Sequence, residues 1–390
     1  MRKQCLQAPA EFSLCYTFSH WRLTFAPHFI FSSSLNFEYR NIDRQAPQKS
    51  LPIIPTQSLK GDEYMPKCWM KTGARLHLGQ LDLNGSLGRL YGGLGLAIDQ
   101  PQLELTAERE NGLYIDSPGL EKDRVNLIAQ QYLDHYSLPG ARIKLIQSLP
   151  SHCGLGSGTQ LALALGFILT RLYGLQPPLP ELAELTDREG SRSGIGVAGF
   201  EQGGFLVDGG KPIQAGESSG LTQIKRHVPP LLTRLSFPEE WAVIIAIPNK
   251  EEKMFGSKEE QAFRSLLPME EQVAGRICRL LLLKLLPGLA EKDLVRFGQA
   301  VTEIQEYLGD YFTPVQGGRF ATSQGEQVAK CLLSKGAAGV GQSSWGPAVY
   351  GFTDDENLAT LTLAARDVMG EQGQVWVARG LNRGAAWGWS

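Results

Sequence analysis

Pro150-Ser151-His152-Cys153-Gly154-Leu155-Gly156-Ser157-Gly158-Thr159 stands between two segments of different period. Upstream, residues 141–148 alternate like a strand. Downstream, residues 159–173 are strongly apolar, and Ala162, Ala164 and Gly166 suit a buried helix packed closely against a sheet. Glycines at 154, 156 and 158 let the backbone approach a ligand and let the amide N–H groups converge. The helix that follows points its positive end at the same spot, so strand, loop and helix together describe an anion site. The loop lacks the Lys before Ser or Thr of a Walker A motif, and it does not have the spacing of a dinucleotide-binding GxGxxG.

Upstream of this unit, 69–78 and 94–105 read as antiparallel strands. Residues 123–136 carry Val125, Leu127, Ile128, Tyr132 and Leu133 at helical spacing, so the order up to the loop is β, α, β. Pro177, Pro178 and Pro180 end the apolar helix, and 181–189 begins another. Residues 205–207 form a short strand closing on an Asp208-Gly209-Gly210 turn, and the polar, Pro-bounded stretch 211–238 reads as the connection between domains. Residues 241–247 are a continuous apolar run between prolines, hence a buried strand. Helices are expected over 270–286, 291–308 and 356–369. Strands are expected over 347–351 and 374–378, and a Gly/Ser loop over 339–346. The fold class is α/β (α+β), with domains over 65–225 and 238–390. Residues 1–64 have no periodicity and no glycine before Gly61, and we read them as an extension ahead of a natural start at Met65.

Length and charge agree with two domains and a small partner. The 390 residues suit two domains, and 38 basic against 40 acidic residues leave a net charge of −2. Such a balance offers neither nucleic acid nor an anionic membrane surface the clustered cations it would need, and no apolar run is long enough to span a bilayer. The six cysteines are scattered, with no CxxC pair and no Cys/His spacing of a zinc site, which points to a reducing, cytoplasmic compartment.

The 150–159 loop resembles motif 2 of the GHMP kinase family, P-x-x-x-G-L-G-S-S, with Gly158 where a second Ser or Thr is usual. An Arg-containing strand at 74–79 and a glycine loop at 339–346 follow the same family in order. The resemblance implies a ribosomal-S5-like N-terminal domain and a ferredoxin-like C-terminal domain, with the ligand between them. Many of these kinases carry an Asp that takes the substrate proton, and in the matching segment 193–204 that position is Gly196. Four stretches, 75–82, 88–98, 193–205 and 341–347, are similar to a non-kinase branch, the β-ribofuranosylaminobenzene 5′-phosphate synthases. That likeness implies transfer of ribose 5-phosphate from phosphoribosyl pyrophosphate to a 4-amino- or 4-hydroxybenzoate, with release of CO2 and pyrophosphate. It is also compatible with a homodimer.

Candidate roles follow. Gly154, Leu155, Gly156, Ser157, Gly158 and Thr159 would hold phosphate. Arg75 and Arg89 would clamp phosphate or carboxylate, since a guanidinium pairs with either. His77 would transfer protons, and Asp82, Glu201 and Asp208 would stabilise the cationic ribosyl centre or bind metal. Mg2+ would neutralise the pyrophosphate, with Ser157 and Asp208 as its ligands. Tyr91, Gly92, Gly93, Gln342, Ser343, Ser344 and Trp345 would line the substrate. Plainer readings exist for the same residues: an ion-paired Arg75, a strand histidine at 77, Asx caps at Asp82 and Asp208, and packing for Tyr91 and Trp345. At the level of function the competing readings are an ATP-dependent small-molecule kinase and an inactive binding protein on the same fold.

Overall fold

A computed structural model describes residues 67–117, 121–186, 194–214, 223–224, 227–248, 265–371 and 373–390. The extension ahead of Met65 lies outside them. Two long strands, β1 (Cys68–Asp82) and β2 (Arg89–Arg109), pair antiparallel along most of their length. Past them, β3 (Gly112–Asp116), α1 (Glu121–Tyr136) and β4 (Gly140–Gln147) form a β-α-β unit, β4 lying parallel to β3 and antiparallel to the far half of β2. The expected α1 and β4 are both present. α1 buries Val125, Ile128, Ala129, Tyr132 and Leu133, one helical face.

The 150–159 loop leads into α2 (Ser157–Leu172), apolar on nearly every side and buried accordingly. Gly166 lets α2 close on α1: a Cβ there would collide with the Tyr132 ring, whose hydroxyl donates to the Leu182 carbonyl at 2.8 Å. Two short helices follow, α3 (Leu179–Leu185) and α4 (Gly194–Glu201). The strands β5 (Phe205–Asp208), β6 (Lys211–Gln214), β7 (Gln223–Ile224) and β8 (Leu231–Leu235) come next; β5 pairs with β2 on one side and β8 on the other. The stretch 211–238, expected to be a connection, therefore contributes strands to the first sheet. Their brevity hides any alternation from a sequence reading.

The second half begins with β9 (Trp241–Ile247), at the expected bounds. The helix expected over 270–286 is α5 (Glu271–Leu280), one π-helical turn at Leu281–Leu285, and α6 (Leu286–Ala290), which has Pro287 in its first turn. Next come α7 (Leu294–Gln316), α8 (Ser323–Ser334), β10 (Gly339–Gln342), β11 (Val349–Asp354), α9 (Asp355–Met369) and β12 (Gln374–Arg379). The sheet order β10-β11-β9-β12, all antiparallel, is the ferredoxin-like β-α-β-β-α-β arrangement. β10 falls where a loop was expected. Gly339 is needed there because its Cα lies against Gly298 of α7, too close for any side chain.

The chain then returns to the first sheet. β13 (Ala386–Trp389) pairs with β1, Cys68 opposite Trp389. One hydrophobic core crosses both sheets. Phe297 of α7 is its hub, with ring centroids 5.9 Å from Phe205 of β5, 5.8 Å from Phe237, 5.3 Å from Trp241 of β9 and 5.1 Å from Phe352 of β11.

Candidate active site

The loop is shaped by left-handed backbone at Gly154 (φ 85°) and Gly156 (φ 79°), conformations that cost a side chain but not glycine. Gly156 is the N-cap of α2 and supplies no side-chain acceptor. The amides of a helix's first turn lie outside its i→i−4 ladder, so this end of α2 presents an anion-binding end. Ser157 is 8% exposed, and its hydroxyl has no hydrogen-bond partner among the described residues.

Around this turn the chain is woven from three directions. Arg75 of β1 donates its backbone N–H to the Leu155 carbonyl at 3.1 Å and its Nη1 to the Gly154 carbonyl at 2.6 Å. Its guanidinium lies against Gly156, where a Cβ would stand 3.0 Å from Nε. Ser343, fully buried, donates its hydroxyl to the Gly154 carbonyl at 2.7 Å and accepts the His77 amide at 2.9 Å. Ala348 donates its amide to the Cys153 carbonyl at 3.2 Å. The 150–159 loop, the Arg75 strand and the 343–348 loop, three separate motifs in sequence, thus form one hydrogen-bonded unit.

Beside that unit lies a small cleft, open to solvent and lined by His77, Gln80, Gln305, Phe312, Gln342 and Trp345 among others. Trp345 packs on Phe312 of α7 at 4.7 Å between centroids. Gln305 ties the walls together, donating Nε2 to the Leu78 carbonyl at 2.7 Å and accepting the Gln342 amide at 2.8 Å. Gln342 in turn donates Nε2 to Gln316 Oε1 at 3.1 Å and accepts the Ala321 amide at 2.6 Å. Ser344 takes a positive φ of 56° and donates its amide to the His77 carbonyl at 3.1 Å. Burial, and secondarily the Arg75 charge, pull the His77 imidazole down to about 3. It is therefore neutral at pH 7.

Several expected residues have other work. Asp82 accepts the amides of Asn84 and Gly85 at 2.7 and 3.0 Å, an Asx turn that shapes the start of the β1–β2 connection. Asp208, 4% exposed, accepts the amides of Gly93 and Gly210 at 2.9 and 2.8 Å. Burial pushes its carboxyl up while those amides pull it down. Gly93 and Gly194 are glycine because a Cβ at either would press on that carboxylate. Arg89 donates Nε and Nη2 to the carbonyls of Gly209 and Gly210 at 2.6 and 2.7 Å, bracing the β5–β6 turn. Tyr91 (φ 77°) and Gly92 (φ 69°) form the bend opposite Asp82 in the ladder, and Tyr91 packs against the core. Glu201 is exposed at the far end of α4, whose Gly196 meets Thr159; the structure does not bring Glu201 to the loop.

Two groups at the site escape the motif reading. Gln305, Phe312 and Gln316 come from α7, where helical spacing marks them only as a face. Arg124 and Glu121, in the first turn of α1, reach the loop: Arg124 donates Nη1 to Ser151 Oγ at 2.9 Å, and its Nη2 lies 3.1 Å from where a Cβ of residue 158 would stand. The one sequence signal for them was the unusual glycine at 158.

Comparison with known proteins agrees with this geometry. The model of the GHMP kinases N terminal domain matches residues 123–204, and that of the GHMP kinases C terminal region matches 285–369. The chain is 36% identical over 319 residues to β-ribofuranosylphenol 5′-phosphate synthase of Archaeoglobus fulgidus, covering 81% of this chain and 97% of that protein. With the Methanothermobacter thermautotrophicus protein of the same name it is 34% identical over 328 residues, covering 81% and 97%. Among solved structures, homoserine kinase from Cytophaga hutchinsonii superposes with a TM-score of 0.55 at 17% identity, covering 85% of this chain and 99% of that one. Mevalonate kinase of Methanococcus jannaschii gives 0.55 at 14%, covering 84% and 100%. These kinases share the fold. With its loop, its two sheets and its likeness along nearly the whole length of the synthases, the chain belongs to the GHMP kinase superfamily and, within it, to the family of the β-ribofuranosylphenol 5′-phosphate synthases.

Proposed function

We propose that the chain transfers the ribose 5-phosphate unit of phosphoribosyl pyrophosphate to the ring carbon of 4-hydroxybenzoate that bears the carboxylate. The ribosyl C1–O bond breaks with its electron pair leaving on pyrophosphate. The ring carbon attacks the oxocarbenium-like centre, and the C–CO2⁻ bond then returns its pair to the ring as CO2 departs. No proton has to be removed from the ring, so the step needs no general base. The observation that carries this reading is at Gly196: a Cβ there would stand 2.9 Å from the Thr159 methyl, so the place of the kinase Asp is filled, while the phosphate loop beside it is intact. The name of the relatives specifies a ribosylated phenol, which 4-hydroxybenzoate becomes on losing its carboxyl group.

In this reading the first turn of α2 and Ser157 take the phosphate end, and Arg75 fixes the loop while adding positive charge beside it. The cleft under Phe312 and Trp345 takes the flat ring, with Gln305 and Gln342 holding its walls. Neutral His77 lines that cleft without competing for the proton of the phenol. Mg2+ bound to the departing pyrophosphate would offset its charge. The Ser157 hydroxyl fits as a protein donor to it, and Asp208 does not fit, because its carboxylate already accepts two backbone amides in a buried setting. No group of three or more His, Cys, Asp or Glu side chains suited to a metal occurs among the described residues, so the proposed ion would be held largely through the pyrophosphate itself.

The test is the purified chain with Mg2+ and phosphoribosyl pyrophosphate, offered 4-hydroxybenzoate or 4-aminobenzoate, with ATP and an alcohol panel in parallel. CO2 and pyrophosphate released in equal amounts with 4-hydroxybenzoate are expected. Alcohol-dependent ADP without CO2 would overturn the reading in favour of a kinase.

A further inference from the structure

We propose that Arg124, in the first turn of α1, is a phosphate-binding cation of the loop, and that residue 158 is glycine in order to admit it. This deepens the function proposed above and rests on that reading of the loop. Gly158 is where the chain departs from the Ser or Thr usual in this motif, and among the described residues outside the helix's own backbone a Cβ added there would meet Arg124 Nη2, at 3.1 Å. The guanidinium is not loosely placed. Its Nη1 donates to Ser151 Oγ at 2.9 Å and lies 3.7 Å from Glu121 Oε2, while Ser151 donates to Glu121 Oε1 at 2.7 Å. These contacts hold one edge of the fork and turn the other toward the first turn of α2. At that turn the helix amides lie outside the i→i−4 ladder, and Ser157, a residue 8% exposed, keeps a hydroxyl with no partner among the described residues.

Arg75 lies against Gly156 and Arg124 against Gly158, so two guanidiniums bracket the same turn. Exchanging a hydroxyl at 158 for a guanidinium adds a full positive charge and a forked donor. That suits a ligand whose negative charge grows as the bond breaks, as pyrophosphate does when it leaves a ribosyl carbon. Glu121 partly offsets the charge of Arg124, which gives the idea a signed consequence: neutralising Glu121 should improve anion binding.

The experiment is titration calorimetry of inorganic pyrophosphate with the full chain as wild type, Arg124→Gln, Arg124→Lys and Glu121→Gln, alongside thermal melts. Arg124→Gln should weaken binding roughly 10- to 100-fold, the loss expected of a charge-assisted contact, and Arg124→Lys should recover part of it. Glu121→Gln should tighten binding by up to about 5-fold, as expected on releasing a partly exposed ion pair. In turnover, Arg124→Gln should raise KM for phosphoribosyl pyrophosphate and leave KM for the benzoate unchanged. If Arg124→Gln binds pyrophosphate as wild type does, Arg124 is not a phosphate ligand and the loop reading stands without it. If Glu121→Gln weakens binding as much as Arg124→Gln, the pair merely braces the loop and the proposal is overturned. A wild-type chain that binds no pyrophosphate overturns both this proposal and the reading beneath it.

Discussion

At the scale of single residues, the site depends on atoms that are missing as much as on those present. A methyl at Gly156 would have to adopt φ 79° and press on the Arg75 guanidinium. Gly156→Ala should therefore lower stability by about 1–2 kcal/mol from backbone strain alone and weaken pyrophosphate binding; thermal melts and calorimetry would measure the two losses. His77 makes a prediction with a defined sign. In the unfolded chain the imidazole takes up a proton below about 6.5, whereas in the folded chain it resists protonation down to about 3. Between those values the unfolded state binds more protons, so this contribution is complete above pH 6.5 and is lost as pH falls toward 3. Urea midpoints at pH 7.5 and 5.0 should fall further apart for the wild type than for His77→Gln, and equal gaps would show that the histidine is not held neutral. Asp82 and Asp208 show why the sequence left two readings open here, a metal-facing carboxylate and an Asx cap. An acidic residue beside a turn looks the same in sequence whether it awaits a metal or caps backbone amides; the structure adds the amide partners Asn84, Gly85, Gly93 and Gly210.

At the scale of elements, legibility followed side-chain pattern. β9 and α2 were readable because a run of large apolar residues between breakers has few alternatives, and α1 because its buried positions repeat at helical spacing. β10 and α4 were not, because both are rich in glycine, which carries no facing preference; Gly339 and Gly341 make a strand look like a loop. α8 was missed as well: its Thr322 cap accepts the Gly325 amide at 3.0 Å, but its first turn is polar. The joint between elements at the site rests on Ser343, whose hydroxyl links the Gly154 carbonyl to the His77 amide. Ser343→Ala should cost about 1–3 kcal/mol, because it leaves buried polar groups without a partner. It should also loosen the loop enough that backbone amides around Gly154 exchange hydrogen faster, which exchange mass spectrometry over 150–159 would read.

At the scale of the molecule, the motifs were legible one by one and their union was not. Nothing in the spacing of Arg75, Gly154 and Ser343 says that they share hydrogen bonds, since that depends on how two sheets close on one core. Phe297 sits where they close, in contact with rings from β5, β9 and β11. Phe297→Ala should cost about 3–5 kcal/mol, and far-UV dichroism and tryptophan fluorescence should still report one shared transition. Separate transitions would mean that the halves hold their structure independently. The pairing of β13 with β1 carries a consequence for synthesis. While the ribosome works from Cys68 to Trp389, the outer edge of β1 has been made but its partner has not. At the usual 5–20 residues per second that interval is on the order of 15–60 s. An open strand edge is a template for pairing with other chains, so the edge of β1 stays available for such pairing until translation reaches residue 389.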